Sequence, residues 1–276
     1  IPMVSHSRGS DVQIVPEIGY GAQLHEKNID KIKATIKQSD KIIAVSTINK
    51  KNIVDLGAHP DNVIVIPNGI LINQINAIPF ENLRVKYGLL EDDFVLITVG
   101  RNRPIKRLAL LFEALKLLKD YQKIKCLCVG PKENLVTLAK KYDVLDKVVF
   151  PGKIPLDSNL NIKQPYSELI NACRSANVYV STSYVESFGN AAAEALASGI
   201  PIIIGQKHGV QDIILPNETG WIMPKETPES LTDLILNLYE KREKLLSKKQ
   251  MIKESVSHLT WRNIASETVD VYKSIL

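Results

Sequence analysis

Cysteine is scarce: three occur in 276 residues. So small and odd a number argues against a disulfide framework. Cys126 and Cys128 stand two apart in an apolar run, so both project from one face of a strand. They read as buried thiols rather than metal ligands, and they suit a reducing compartment. Histidine is also scarce, at five residues. There is no His-x-x-x-His pair and no Asp-x-Asp, and no metal is expected. Gly19-Tyr-Gly21 lacks a third glycine and a strand-to-helix setting, which argues against a dinucleotide fingerprint and NAD-linked chemistry. No Ser-His-Asp set supplies a covalent nucleophile. No apolar run approaches the length of a membrane span, and no signal peptide is visible. Aromatic residues make up only 6%. Isoleucine, leucine and valine are plentiful instead, a mixture that suits buried parallel strands.

What is present is an ordinary globular composition, 45% hydrophobic and 24% charged. The length fits one large domain or two of moderate size. The net charge of +5 and a pI near 8.9 fit anionic partners such as nucleoside diphosphates, anionic lipid or nucleic acid. The basic run 241–249 reads first as a solvated helix face, and second as a contact for an anionic membrane surface.

One stretch organises the rest. Asn177–Thr182 is apolar and rich in β-branched residues, as a buried strand is. Gly189 and Asn190 turn the chain. Ala191–Ala197 has high helix propensity, and Gly199 closes that helix. Pro201–Gly205 is the next buried strand. A helix opening from such a turn presents unpaired N–H groups, which suit a phosphate. Glu186 precedes the turn. Glu194 is expected near the helix start, with its side chain directed back toward a ligand there.

In chain order, Ile1–Ser5 reads as a strand end and His6–Asp11 as a polar turn. Helix is expected over Glu26–Gln38 and Thr47–Leu56. Strands are expected over Lys41–Ser46 and Val63–Pro67. Residues 70–90 read as a linker. Phe94–Gly100 then opens a second βα series, with a helix over Leu108–Leu118 and a strand over Ile124–Gly130. A short helix over Leu135–Lys141 and a strand over Val148–Phe150 continue it. Helices follow over Tyr166–Ala176, over about Pro228–Ser247 and from Trp261 onward. Between the strand ending at Gly100 and the next helix lies Arg101-Asn-Arg-Pro-Ile-Lys-Arg107, a loop whose four cations are expected to face the strand ends, where open α/β sheets bind ligands.

The string Glu186-Ser-Phe-Gly-(x)4-Glu194-Ala-(x)3-Gly199-x-Pro201 resembles the signature of the retaining GT-B glycosyltransferases of family 4, the glycogen-synthase-like group. The resemblance implies an α/β fold of GT-B type, with two Rossmann-like domains facing a cleft. Glu186 would contact the donor hexose and Glu194 the nucleotide ribose. The backbone of Phe188, Gly189 and Asn190 would meet the sugar and diphosphate. Gly100, Arg101 and Lys106 match the family's Gly-Arg…Lys pattern, whose cations neutralise the diphosphate as it leaves. Phe150-Pro-Gly-Lys153-Ile154 looks like the strand end whose backbone reads the base. Gly209–Asp212 resembles the family's Gly-x-x-Glu with aspartate substituted, and Asn68-Gly69 its hinge turn. Pro2–His6 resembles a strand whose terminal histidine, here His6, stands beside the reacting centre.

Three units follow from this resemblance. Residues 1–74 would be the second half of an acceptor domain, 75–258 the nucleotide-sugar domain, and 259–276 a helix crossing back. With only three strands before Pro67, the first domain is expected to be incomplete, leaving Ile42, Ile43, Val63 and Ile64 short of cover. The implied activity is metal-independent transfer of a hexose from a nucleotide-diphosphate sugar to a saccharide or lipid-linked acceptor. That donor is a substrate, so no cofactor is implied, and nucleic acid is not an implied partner. The implied location is the cytoplasm, including the inner membrane face. The alternative is a non-catalytic module that only binds nucleotide sugar.

Overall fold

The computed structural model describes residues 1–154 and 167–276. Its strands are β1 (Val4–Ser7), β2 (Lys41–Ala44), β3 (Val63–Val65), β4 (Phe94–Val99), β5 (Ile124–Val129), β6 (Val148–Gly152), β7 (Val178–Val180), β8 (Ile202–Ile204) and β9 (Gly220–Ile222). Its α-helices are α1 (Glu26–Gln38), α2 (Thr47–Asp55), α3 (Ile72–Ala77), α4 (Leu108–Leu117), α5 (Glu133–Tyr142), α6 (Ser167–Ser175), α7 (Asn190–Ala197), α8 (Pro228–Glu240), α9 (Arg242–Ser247), α10 (Lys249–Ser255) and α11 (Trp261–Lys273). The expected start of α6 at Tyr166 lies outside the described residues.

Two parallel sheets result, because uninterrupted apolar strands alternate with amphipathic helices that cover both faces. The first has the order β1-β2-β3 and the second β6-β5-β4-β7-β8-β9. In the second sheet the chain builds outward from β4 in one direction, then returns to β7 and builds outward in the other. Connections therefore diverge between β4 and β7, and the loops leaving these two strands frame a crevice at their carboxyl ends. Both candidate ligand loops leave from this pair of strands. The helix α7 ends as expected, with Gly199 N–H donating to Leu196 O and Ile200 N–H to Ala195 O.

Several expectations need correction. The first sheet is not short of cover: Ile42, Ile43 and Val63 are buried, and only Ile64 is half-buried. Val12, Ile53 and Ala58 pack with Ile42 and Val63 on one face. Ile43 on the other joins the large core that continues into the second sheet. His6 lies inside β1 rather than in the turn after it. The stretch expected as one helix to Ser247 is two, α8 and α9, parting at Lys241. No glycine or proline marks that break. The stretch expected as a linker holds the helix α3 and is anchored at its far end. Arg84 is buried, and its guanidinium donates to the carbonyls of Ser175, Leu90, Glu91 and Asp93 and to Asn177 Oδ1.

The last helix returns to the first sheet. Ile70 N–H donates to Leu259 O at 2.7 Å, and His6 Nε2 lies 3.1 Å from the Tyr272 hydroxyl. Among the described residues no helix is long and apolar enough to cross a membrane.

Candidate functional site

The loop after β4 is shaped by Pro104, which opens a single turn to Lys106. Lys106 Nζ reaches the loop after β7 and lies 2.6 Å from Glu186 Oε1. The Ser183 hydroxyl donates to the same oxygen at 2.8 Å. The structure thus joins residues 80 apart in sequence into one half-buried pair. Arg101 is exposed at the rim beside Gly100 and Lys106, with no carboxylate partner among the described residues. Arg103 is also exposed. Arg107 departs from expectation. It is not free for a ligand: it pairs with Glu226 at 2.8 Å and lies 4.6 Å over the Tyr184 ring. Two of the four cations, Arg101 and Lys106, therefore line the crevice directly after β4.

Gly189 enters α7 with φ of 101°, a conformation costly for any residue with a Cβ. No side chain caps the helix. Its first N–H groups open into a cleft of about 490 Å³, together with Lys106, Glu186, Phe188 and Asn190. Phe188 itself is buried in the core, so only its backbone is offered to a ligand. Glu194, expected near the helix start, is the fifth residue of α7, just past its first turn. Its half-buried carboxyl has no hydrogen-bond partner among the described residues. Burial pushes it up to about 7, so it is poised between its two protonation states near neutrality.

Lys153 and Ile154 follow β6, at the same carboxyl edge of the sheet but apart from the residues lining the cleft. His6 is not among the described residues lining the cleft: its ring lies beside Tyr272, and burial followed by the Arg8 charge lowers its pKa. Arg8 and Gly9, just beyond it, line the cleft instead.

Other residues brace the site, among them His208 and Gln13, which carried no recognisable local signal. His208 is buried, and its Nε2 donates to the Ser183 carbonyl at 2.8 Å, fixing the loop that holds Glu186. Burial lowers its pKa, which favours the neutral ring. Ser187 is gripped from the first domain: Ser46 Oγ donates to its carbonyl at 2.6 Å, and its own hydroxyl donates to Gln13 Oε1 at 2.9 Å. A Cβ on Gly9 would lie 2.6 Å from Ser187 Oγ, so glycine is needed for this approach. Asn68 donates to Asn190 Oδ1 at 2.9 Å. Asp212 accepts from both the N–H and hydroxyl of Thr47 at the start of α2. Among the described residues no cluster of three or more His, Cys, Asp or Glu side chains could hold a metal ion.

Residues 79–256 match the model of the family described as glycosyl transferases group 1. The chain belongs to that family. The matched residues contain the second sheet and both ligand loops, including Arg101, Lys106, Glu186 and Glu194. The chain is 30% identical over 248 residues to an uncharacterized glycosyltransferase of Methanocaldococcus jannaschii, covering 86% of this chain and 60% of the relative. It is 26% identical over 257 residues to a D-inositol 3-phosphate glycosyltransferase of Nocardioides, covering 86% and 54%. It thus spans between about half and three-fifths of the length of these relatives. Among solved structures, Anabaena HepE in complex with UDP and glucose superposes with a TM-score of 0.78 at 19% identity, covering 99% of this chain and 72% of that one. Sucrose-phosphate synthase from Thermosynechococcus elongatus superposes with a TM-score of 0.79 at 22% identity, covering 98% and 67%. At such identities the likeness is one of fold. Two Rossmann-like α/β domains flank a cleft in this group 1 glycosyltransferase, the GT-B arrangement.

Proposed function

We propose that this chain catalyses transfer of a hexosyl group from a nucleotide-diphosphate sugar to a hydroxyl of a saccharide or lipid-linked acceptor, with retention of configuration. The observation that carries the reading is the convergence at one cleft of Lys106, Glu186 and the uncapped start of α7. A leaving nucleoside diphosphate gains negative charge as the sugar–phosphate bond breaks. Fixed cations and helix N–H groups stabilise that charge without a metal ion.

In this reading Arg101 and Lys106 bind the diphosphate with the N–H groups of Asn190 and its successors. Glu186 holds the hexose, and Glu194 accepts hydrogen bonds from the ribose hydroxyls. The backbone at Lys153 and Ile154 meets the base. His6 is left out of the catalytic set because its ring is engaged with Tyr272. The acceptor hydroxyl attacks the anomeric carbon on the face that the phosphate leaves. The carbon–phosphate oxygen bond breaks, the new glycosidic bond forms, and a phosphate oxygen takes the hydroxyl proton. In the structure as described, Lys106 is paired with Glu186. A bound donor would place its diphosphate beside the lysine and its hexose beside the glutamate, separating the two roles.

Incubation with a panel of UDP- and GDP-sugars tests the reading. Release of nucleoside diphosphate should occur with at least one donor and should fall sharply in Glu186→Gln. A donor that binds but is turned over equally by wild type and Glu186→Gln would remove Glu186 from the reaction. No binding of any nucleotide would remove the donor site altogether.

A further inference from the structure

Arg8 is the one charged side chain that the first domain contributes to the described lining of the cleft. The other first-domain residues there are Gly9, Ser10, Tyr20 and Asn68. Arg8 is exposed, and no carboxylate pairs with it among the described residues. The backbone that carries it is nonetheless fixed. It stands between buried Ser7 and buried Gly9. Gly9 N–H donates to Asp11 Oδ1 at 2.8 Å, and the Gly9 carbonyl accepts from the N–H groups of Val12 and Gln13. The close approach of Gly9 to Ser187 pins the same loop to the donor side.

The described lining of the cleft carries two cations, Arg8 and Lys106, against one anion, Glu186. On the second-domain wall, the cations Arg101 and Lys106 are assigned to the donor diphosphate in the proposed function. Glu186 already pairs with Lys106. Arg8 lies on the opposite wall, and no carboxylate forms an ion pair with it among the described residues; the nearby Asp11 carboxylate is engaged by the Gly9 N–H. An arginine whose backbone is anchored while its planar guanidinium is left unpaired suits a fork of two oxyanion oxygens.

We propose that Arg8 recognises an anionic acceptor, one carrying a phosphoryl or carboxylate group near the hydroxyl to be glycosylated. This inference rests on the proposed function. It assigns Arg8 to the acceptor and not to the donor diphosphate.

Glucose 6-phosphate, glucuronate and glucose serve as probes, titrated into the chain with and without saturating UDP and followed by ligand-observed NMR. At least one anionic probe should bind about ten-fold more tightly than glucose, and Arg8→Gln should abolish that preference. Arg8→Lys should keep part of it. UDP affinity should change by less than about two-fold in Arg8→Gln. The two anionic probes distinguish phosphoryl from carboxylate recognition. Equal binding of all three probes by wild type, including no detectable binding, would overturn the proposal. So would a preference that survives in Arg8→Gln, or a loss of UDP affinity in that variant matching the loss for the probes. Failure of UDP to bind would count against the donor site, while the titrations without nucleotide would still report on Arg8.

Discussion

At the scale of single residues, the diphosphate assignment makes a selective prediction. Arg101→Ala and Lys106→Ala should each weaken binding of a nucleoside diphosphate by about 1.5–3 kcal/mol, the range for hydrogen bonds to charged groups. The matching nucleoside should be little affected, and calorimetry on both ligands checks this. Glu194 makes a prediction in pH. Burial holds its carboxyl at about 7, above its ordinary 4.5. The folded chain therefore keeps a proton that the unfolded chain has lost, and the stability contributed by this group falls as pH rises from about 4.5 to about 7. Glu194→Gln should flatten that fall in a series of denaturation curves. Ribose hydroxyls would favour the ionised carboxylate. Nucleotide affinity should therefore gain a component that rises through pH about 7 in wild type and is absent in Glu194→Gln. The nucleotide's own terminal phosphate also titrates, at about 6, so the difference between the two proteins is the informative quantity. That Lys106 and Glu186 would line one crevice was legible in the sequence because the residue types and spacings of both loops could be read together. His208 and Arg8 were not. A lone histidine and a lone arginine carry no spacing signal, and only the fold decides which of His6 and Arg8 faces the cleft.

At the scale of elements, two joints can be tested. Gly189 adopts φ of 101° at the mouth of α7. Gly189→Ala should cost about 1–3 kcal/mol of stability, because an L-residue is strained there. It should also weaken diphosphate binding, since the same turn aims the first N–H groups. Denaturant titration and calorimetry on this variant measure the two effects. The second joint is Asp212, which satisfies the first N–H of α2 across the cleft. Asp212→Ala should cost about 1 kcal/mol and leave that end of α2 without its partner. Small-angle scattering should show a larger radius of gyration as the cleft loosens, and an unchanged radius would mean that the remaining contacts suffice. The helix α1 was readable because Ile29, Ile32 and Ile36 recur at helical spacing, with acidic Glu26 in its first turn and basic Lys37 in its last. The parting of α8 and α9 was not, since no breaker marks it. The Asp212–Thr47 contact joins residues 165 apart, and the spacing of Gly209–Asp212 says nothing of its partner.

At the scale of the molecule, the order of the second sheet accounts for the position of the site. Its connections diverge between β4 and β7, and the cationic loop and the Glu186 loop leave these two strands. Alternating apolar strands and amphipathic helices made that architecture readable, because each element's periodicity is local. The cover over the first sheet was misjudged for the opposite reason. Ile43 is buried within a core whose other members, Val271 among them, lie far along the chain. The central claim is that the cleft is a donor site built to hold a diphosphate. The most direct measurement compares, by calorimetry, UDP and GDP with uridine and guanosine in the wild-type chain. The account predicts that at least one diphosphate binds with an affinity about a hundred-fold or more above its nucleoside, the sum of two charge-assisted contacts or more. Equal affinities for diphosphate and nucleoside, or no binding of either, would contradict it.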